Sequence, residues 1–276
     1  MTDFLKYIDI FLGAIAAVLL LFLLIRRRIR VENGDYFSAN QVNGFSNWIN
    51  NWGGFVAAFL VLLGGISVSR DITREQKAHM QQNLIHFTND LARSFHPEHV
   101  SKLQFTANDS SSLFFKRLNE QLHYYSDFSG VKNIYTLDKR GSDYYFGPEA
   151  LDPGDPLHSA PGTRYIHPPG ILDEVFSDRV TRVFGPFEDE YGRFFSCFSP
   201  VMSLDRENVL MVVGVDIPAH EWNWQLYHVK FLPLGITLVL LLLIYFGFNS
   251  FRKRNKQRFF GIGAFRYWEA GLVFIA

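Results

Sequence analysis

The sequence predicts an α+β domain, a five-stranded antiparallel sheet with helices on one face, set between transmembrane α-helices. Three observations predict it. Uncharged apolar runs at Ile10 to Ile25, Phe55 to Ser69 and Phe231 to Phe248 approach the ~20 residues a bilayer-crossing helix needs. Between the second and third runs lie five short stretches with strand character, separated by Gly- and Asp-containing turns. A long helical pattern precedes the first of these stretches, so helices and strands are segregated, as in α+β folds.

The charges set an orientation. Arg26-Arg27-Arg28-Ile29-Arg30 follows the first apolar run, and Arg252-Lys253-Arg254 begins a basic cluster after the third. Cytoplasmic placement of both clusters makes residues 70-230 extracytoplasmic, in a multi-pass protein of the cell membrane. The expected order is a first transmembrane helix (1-29), a cytoplasmic connector (30-52), a second helix (53-69), the extracytoplasmic domain (70-230) and a third helix (231-250). Residues 251-276 form a basic cytoplasmic segment and the start of a fourth membrane helix that the chain cuts off. No small-residue cleavage site follows the first run, which argues for a retained helix over a signal peptide. Gly64-Gly65 offers a place for close helix approach.

Within the domain, Leu84, Phe87, Leu91 and Phe95 recur at three- and four-residue steps and predict a helix from Asp71 to Phe95, limited by Pro97. A second helix is expected from Ser110 to Tyr125, capped by its serines. The strands are Val131 to Leu137, Tyr144 to Phe146, Arg182 to Phe187, Arg193 to Met202 and Asn208 to Ile217. From Gly147 to Gly170 prolines and glycines exclude long regular elements, and a loop of that length in a compact domain is usually functional. A short helix, Pro169 to Ser177, follows it. Ala219 to Lys230 is read as a helix joining the last strand to the third membrane run, with Trp222, Trp224 and Tyr227 reaching the interface.

Composition narrows the functions. The chain has 27 basic and 27 acidic residues, and nothing in it forms the basic domain that nucleic-acid binding requires. The lone Cys197 excludes an internal disulfide and reads as a buried strand residue. His79 and His86 stand two helical turns apart, and His96 and His99 flank a proline, so no metal site is expected. Ser159, Ser196 and Ser199 lack a nucleophile-elbow context, and no Walker, dinucleotide or zincin pattern occurs. Glu188, Asp189 and Glu190 fall at an expected turn and read as solvated. No catalytic residue and no cofactor are called for.

Several segments in order carry a resemblance. They include Asn133-Ile134-Tyr135-Thr136-Leu137, Gly154-Asp155-Pro156, Ser159 to Tyr165, Val183-Phe184-Gly185-Pro186-Phe187 with Glu190-Tyr191-Gly192, and Val213-Gly214-Val215-Asp216-Ile217 with Trp222. Over residues 70-228 the chain resembles the extracytoplasmic PAS-like sensor family, the PDC or Cache domains found in front of bacterial sensor histidine kinases and diguanylate cyclases. Leu157-His158 and Ala160 depart from the pattern in the loop, where an aromatic often stands. The resemblance implies a sensory module for a small extracytoplasmic ligand, with a kinase or cyclic-di-GMP effector beyond this chain. The alternative is an assembly protein whose PAS-like domain binds a protein partner.

Alternation puts Val212, Gly214 and Asp216 on one face of the last strand and Val213 and Val215 on the other. With the long helix on one face and the loop on the other, a pocket lies under the loop. By analogy with the family's pocket, Asp216 would accept from a ligand amine and Arg164 would hold a carboxylate. Tyr135, Tyr145, Tyr165 and Ser196 would supply walls and hydroxyls. The plainer readings are that Asp216 caps the helix starting near Pro218 and Arg164 pins the loop. The expected partners are an amine, amino acid or carboxylate ligand, the lipid bilayer, and a second copy through the long helix.

Overall fold

The computed structural model describes the backbone over residues 39–272 and the side chains over residues 52–249. The first apolar run, its basic cluster and the last four residues lie outside the described residues. The chain divides into two units, residues 74–228 and a second formed by residues 1–73 with 229–276.

Among the described residues, two helical segments are long and apolar enough to cross a membrane: Trp52–Ser94, within helix α1 (Ala39–Ser94), and Ala219–Asn249, within helix α5 (Ala219–Leu272). α1 begins inside the stretch read as a connector, and α5 runs on through the basic cluster. Phe55, Phe59 and Leu63 on α1 and Phe231, Leu243 and Phe246 on α5 are exposed, an apolar surface of the kind that marks a membrane or partner contact. Gly65 makes a close approach: a Cβ there would fall 2.1 Å from Thr237 Oγ1. Its neighbour Gly64 would meet nothing within 4 Å.

The unit of residues 74–228 is α+β. The short helix α2 (Pro97–Val100) follows α1, and a 3₁₀ turn (Ala107–Ser111) leads into α3 (Leu113–Ser129). Ser112 caps α3 by accepting from the Phe114 N–H, and Gly130, at φ 74°, ends it. The expected serine cap is therefore right in kind, while Ser110 and Ser111 belong to the preceding turn. The strands are β1 (Asn133–Arg140), β2 (Asp143–Glu149), β3 (Arg182–Asp189), β4 (Gly192–Met202) and β5 (Val209–Pro218), with α4 (Ile171–Asp178) before β3. They form one antiparallel sheet in the order β2-β1-β5-β4-β3.

β1 runs to Arg140, past its expected end at Leu137, and two further strands also outrun theirs. β2 continues past Phe146 through Gly147, Pro148 and Glu149, because an edge strand tolerates a proline whose missing N–H costs no ladder bond. β3 continues to Asp189, paired with Gly192 across a tight turn. Both extensions carry a carboxylate onto the ladder.

Alternation along the strands builds two cores. Ile134, Phe195, Cys197, Val213 and Val215 pack with Leu91 of α1 and with Leu118 and Leu122 of α3. Tyr135, Leu137, Phe146, Phe198 and Val212 pack on the opposite face with Tyr165 of the loop and with Leu172 and Val175 of α4. The helices thus do not share one face: α4 closes the loop side. Burying a side chain of this size contributes ~1.5–3 kcal/mol. Cys197 is fully buried, and burial pushes its thiol up to about 12, leaving it unreactive.

Trp222 does not reach an interface. It is 1% exposed and stacks on Phe195 of β4 at 4.5 Å between ring centroids, whereas Trp224 and Tyr227 are exposed. The rings of His96 and His99 lie 5.1 Å apart, tilted by 36°, and no group of three metal-ligating side chains occurs among the described residues.

Candidate functional site

Between the loop-side face of the sheet and the loop lies a cavity of about 30 Å³. That holds water but not an organic molecule, so a ligand enters only if the loop moves. Its ionisable carboxylates are Glu149, Asp189 and Asp216, and no Lys, Arg or His lines it. Its rings are Tyr135, Phe146, Tyr165, Tyr191 and Phe194. Phe146 sits at the centre of this group, 5.5 Å from Tyr135, 5.2 Å from Tyr165 and 5.6 Å from Tyr191.

Asp216 is held from both neighbouring strands. It lies opposite Asn133 of β1 and Ser196 of β4. Its Oδ1 accepts from Tyr135 Oη at 3.2 Å, and the Ser196 hydroxyl also bonds to it. These bonds go across the sheet, so the capping role does not describe its carboxylate. Burial raises the Asp216 pKa to about 7, with the Asp189 charge adding to it and the two hydroxyls opposing it. Burial likewise pushes Tyr135 and Tyr165 well above the usual phenol range.

Gly214 makes room for this arrangement. It lies opposite Tyr135, and a Cβ there would fall 2.5 Å from the Tyr135 ring and 3.0 Å from its hydroxyl oxygen. Gly214→Ala is therefore expected to push the ring off Asp216 and destabilise the domain by ~1–3 kcal/mol. Chemical denaturation of the variant checks this, and wild-type stability would show that the ring moves freely.

The loop is tied down at several points. Glu149 Oε1 accepts from the Ser159 N–H at 2.7 Å and pairs with His158 Nδ1, while Ser159 Oγ meets Tyr191 Oη at 2.7 Å. Tyr165 Oη donates to Asp189, whose Oδ1 also accepts from the N–H groups of Tyr191 and Gly192. Glu190 accepts from the N–H groups of Ile166 and His167. The acidic run at residues 188–190 is thus not simply solvated, because Asp189 and Glu190 clamp the loop. Burial lifts the Glu149 carboxyl to about 8, opposed by the Ser159 N–H and aided by Asp155.

Of the residues read from the sequence as a site, Tyr135, Tyr165 and Asp216 line the cavity and Ser196 supports Asp216. Tyr145 and Arg164 are not among its lining residues. Tyr145 points away from the face that carries Tyr144 and Phe146, under the Arg140 guanidinium at 4.9 Å, as alternation along β2 requires. Arg164 is exposed and binds Asp143 at 2.8 Å, pinning the loop to β2. The sequence reading missed Glu149, Asp189 and Tyr191. Gly147-Pro148 reads locally as a strand end, which hides Glu149, and Tyr191-Gly192 reads only as a turn.

The sheet, its two covered faces and the loop-closed cavity define an α+β domain built on a five-stranded antiparallel sheet. No family model matches the sequence, and no curated protein matches it. Among solved structures it is similar to the sensory domain of the Campylobacter jejuni chemoreceptor Tlp3 (CcmL) with isoleucine bound, at 11% identity and TM-score 0.34, over 71% of this chain and 68% of that one. The ligand-binding domain of the same receptor with 4-methylisoleucine shares 14% identity at TM-score 0.33, over 57% of each chain. An A. aeolicus nlh2 GAF domain in an inactive state shares 13% identity at TM-score 0.28, over 56% of this chain and 95% of that one.

Proposed function

We propose that this protein is a membrane-anchored sensory input module whose extracytoplasmic domain binds a small organic cation beneath the loop. The observation that carries the reading is the cavity wall: it holds three carboxyl side chains and no Lys, Arg or His, and five aromatic rings complete it. A buried carboxylate without a cation is costly, and an ammonium group offsets that cost while its alkyl part lies on the rings. A free carboxylate ligand is disfavoured, since Arg164 is engaged with Asp143 outside the cavity. Binding opens and recloses the loop and biases the sheet, and α5, which follows β5 directly, passes the bias to a signalling effector such as a histidine kinase or cyclic-di-GMP enzyme. Residues 70-230 lie outside the cytoplasm in this reading, and the module works as a homodimer.

A second reading rests on Tyr124 and Phe128, exposed on α3 and stacked at 6.5 Å, which suit a protein partner.

The test is a thermal-shift panel of primary amines, amino acids and carboxylates on the full chain in lipid nanodiscs. An amine at 100 times its dissociation constant stabilises by about 2.7 kcal/mol. Asp216→Asn, which removes the charge and keeps the shape, is expected to abolish that shift. A panel without any amine response removes this reading and favours the protein-partner role.

A further inference from the structure

We infer that the cavity selects a short α,ω-diamine over monoamines, with Asp216 holding one ammonium group and Glu149 the other; this rests on the organic-cation reading above. Three features support it. The first is placement. Glu149 lies opposite Tyr135 and Asp216 opposite Asn133, on the two strands flanking β1. Their Cα atoms are therefore two strand spacings apart and two residues offset, about 12 Å. Both residues line the same cavity, and once the loop opens the separation of their strands matches a chain of only a few methylenes between two ammonium groups.

The second feature is what lies between. Tyr135 and Phe146, 5.5 Å apart, line the same cavity and present apolar ring surface to a methylene chain. A diamine matches that order, with a charge at each end and hydrocarbon in the middle.

The third feature is the state of Glu149. It is 4% exposed, yet its nitrogen partners both come from the loop: the Ser159 N–H and His158 Nδ1. His158 thus stands at Glu149 where the second ammonium would stand. Because a ligand must displace the loop to enter, it meets Glu149 as the imidazole leaves. The diamine then exchanges with the loop's own group, and the buried carboxylate never loses a partner.

The experiment is isothermal titration of the full chain in nanodiscs with a series of α,ω-diamines from propyl to hexyl, each beside its n-alkylamine. The expected result is one optimal length that binds at least about tenfold tighter than its monoamine, the effect of ~1.4 kcal/mol. Glu149→Gln is expected to collapse that ratio to about one. Glu149→Asp, shorter by one methylene, is expected to move the optimum to a longer diamine, a shift that a merely structural role would not produce. Equal binding of diamines and monoamines, or an optimum unmoved in Glu149→Asp, overturns the inference while leaving the cation reading standing. No amine binding at all overturns both.

Discussion

Raising the pH from about 5 to about 8 is expected to destabilise the ligand-free domain by several kcal/mol. The two groups responsible are Asp216 and Glu149, which burial raises to about 7 and about 8 in the folded state. In the unfolded chain they titrate near 3.9 and 4.3. Between those limits the folded state binds more protons than the unfolded one, so stability falls as pH rises. The stabilisation is complete below about pH 4 and is lost through the folded values, at about 1.4 kcal/mol per pH unit for each group. Asp189 faces Asp216 and adds to its shift, and Asp155 does the same for Glu149. Chemical denaturation of the full chain as a function of pH measures this. Asp216→Asn and Glu149→Gln should each flatten the profile, and a flat wild-type profile would show that water or the loop's own donors hold these groups charged. An amine ligand should restore stability on the alkaline side.

Trp222→Ala is expected to cost about 3–5 kcal/mol, the range for removing a large buried aromatic. Trp222 is among the largest fully buried side chains, and its ring lies nearly parallel to Phe195, at an interplanar angle of 17°. For a domain of this size the loss lowers the melting temperature by on the order of 10 °C. Its indole Nε1 has no hydrogen-bond partner among the described residues, so Trp222→Phe removes an unsatisfied donor as well as volume and should cost far less. The tryptophan sits in the first turn of α5, immediately after β5, and so joins the strand that carries Asp216 to the helix that enters the apolar segment. If α5 carries the signal, Trp222→Phe keeps amine binding and Trp222→Ala, where it folds, separates binding from output. Thermal unfolding checks the first claim, and a signalling-output assay checks the second. Equal losses for Phe and Ala would mean that packing volume is not what the site requires.

The cavity was half legible in the residues. Val212-Val213-Gly214-Val215-Asp216 reads as a strand with alternating faces, and the structure puts Gly214 and Asp216 with Tyr135 on one of them. The same rule places Tyr145 on the other face from Tyr144 and Phe146, away from the pocket that the resemblance implies for it. Glu149 and Asp189 were out of reach for a different reason. Gly-Pro and acidic runs are turn signals locally, and only the neighbouring strand shows that the ladder continues through them.

What the sequence determined by itself is what is periodic and local: the strands and the main helices in their order, the two apolar segments that the structure describes, the burial of Cys197, and the face of the sheet that Asp216 occupies. Hydrophobic spacing encodes these directly. What only the tertiary structure decided is which charged groups meet. Arg164 found Asp143 and left the cavity, while the loop closed on Glu149, Asp189 and Glu190. Those pairings join residues ten or more positions apart, across strands whose ends no local pattern sets. Their outcome follows from loop closure and desolvation, which depend on the whole fold.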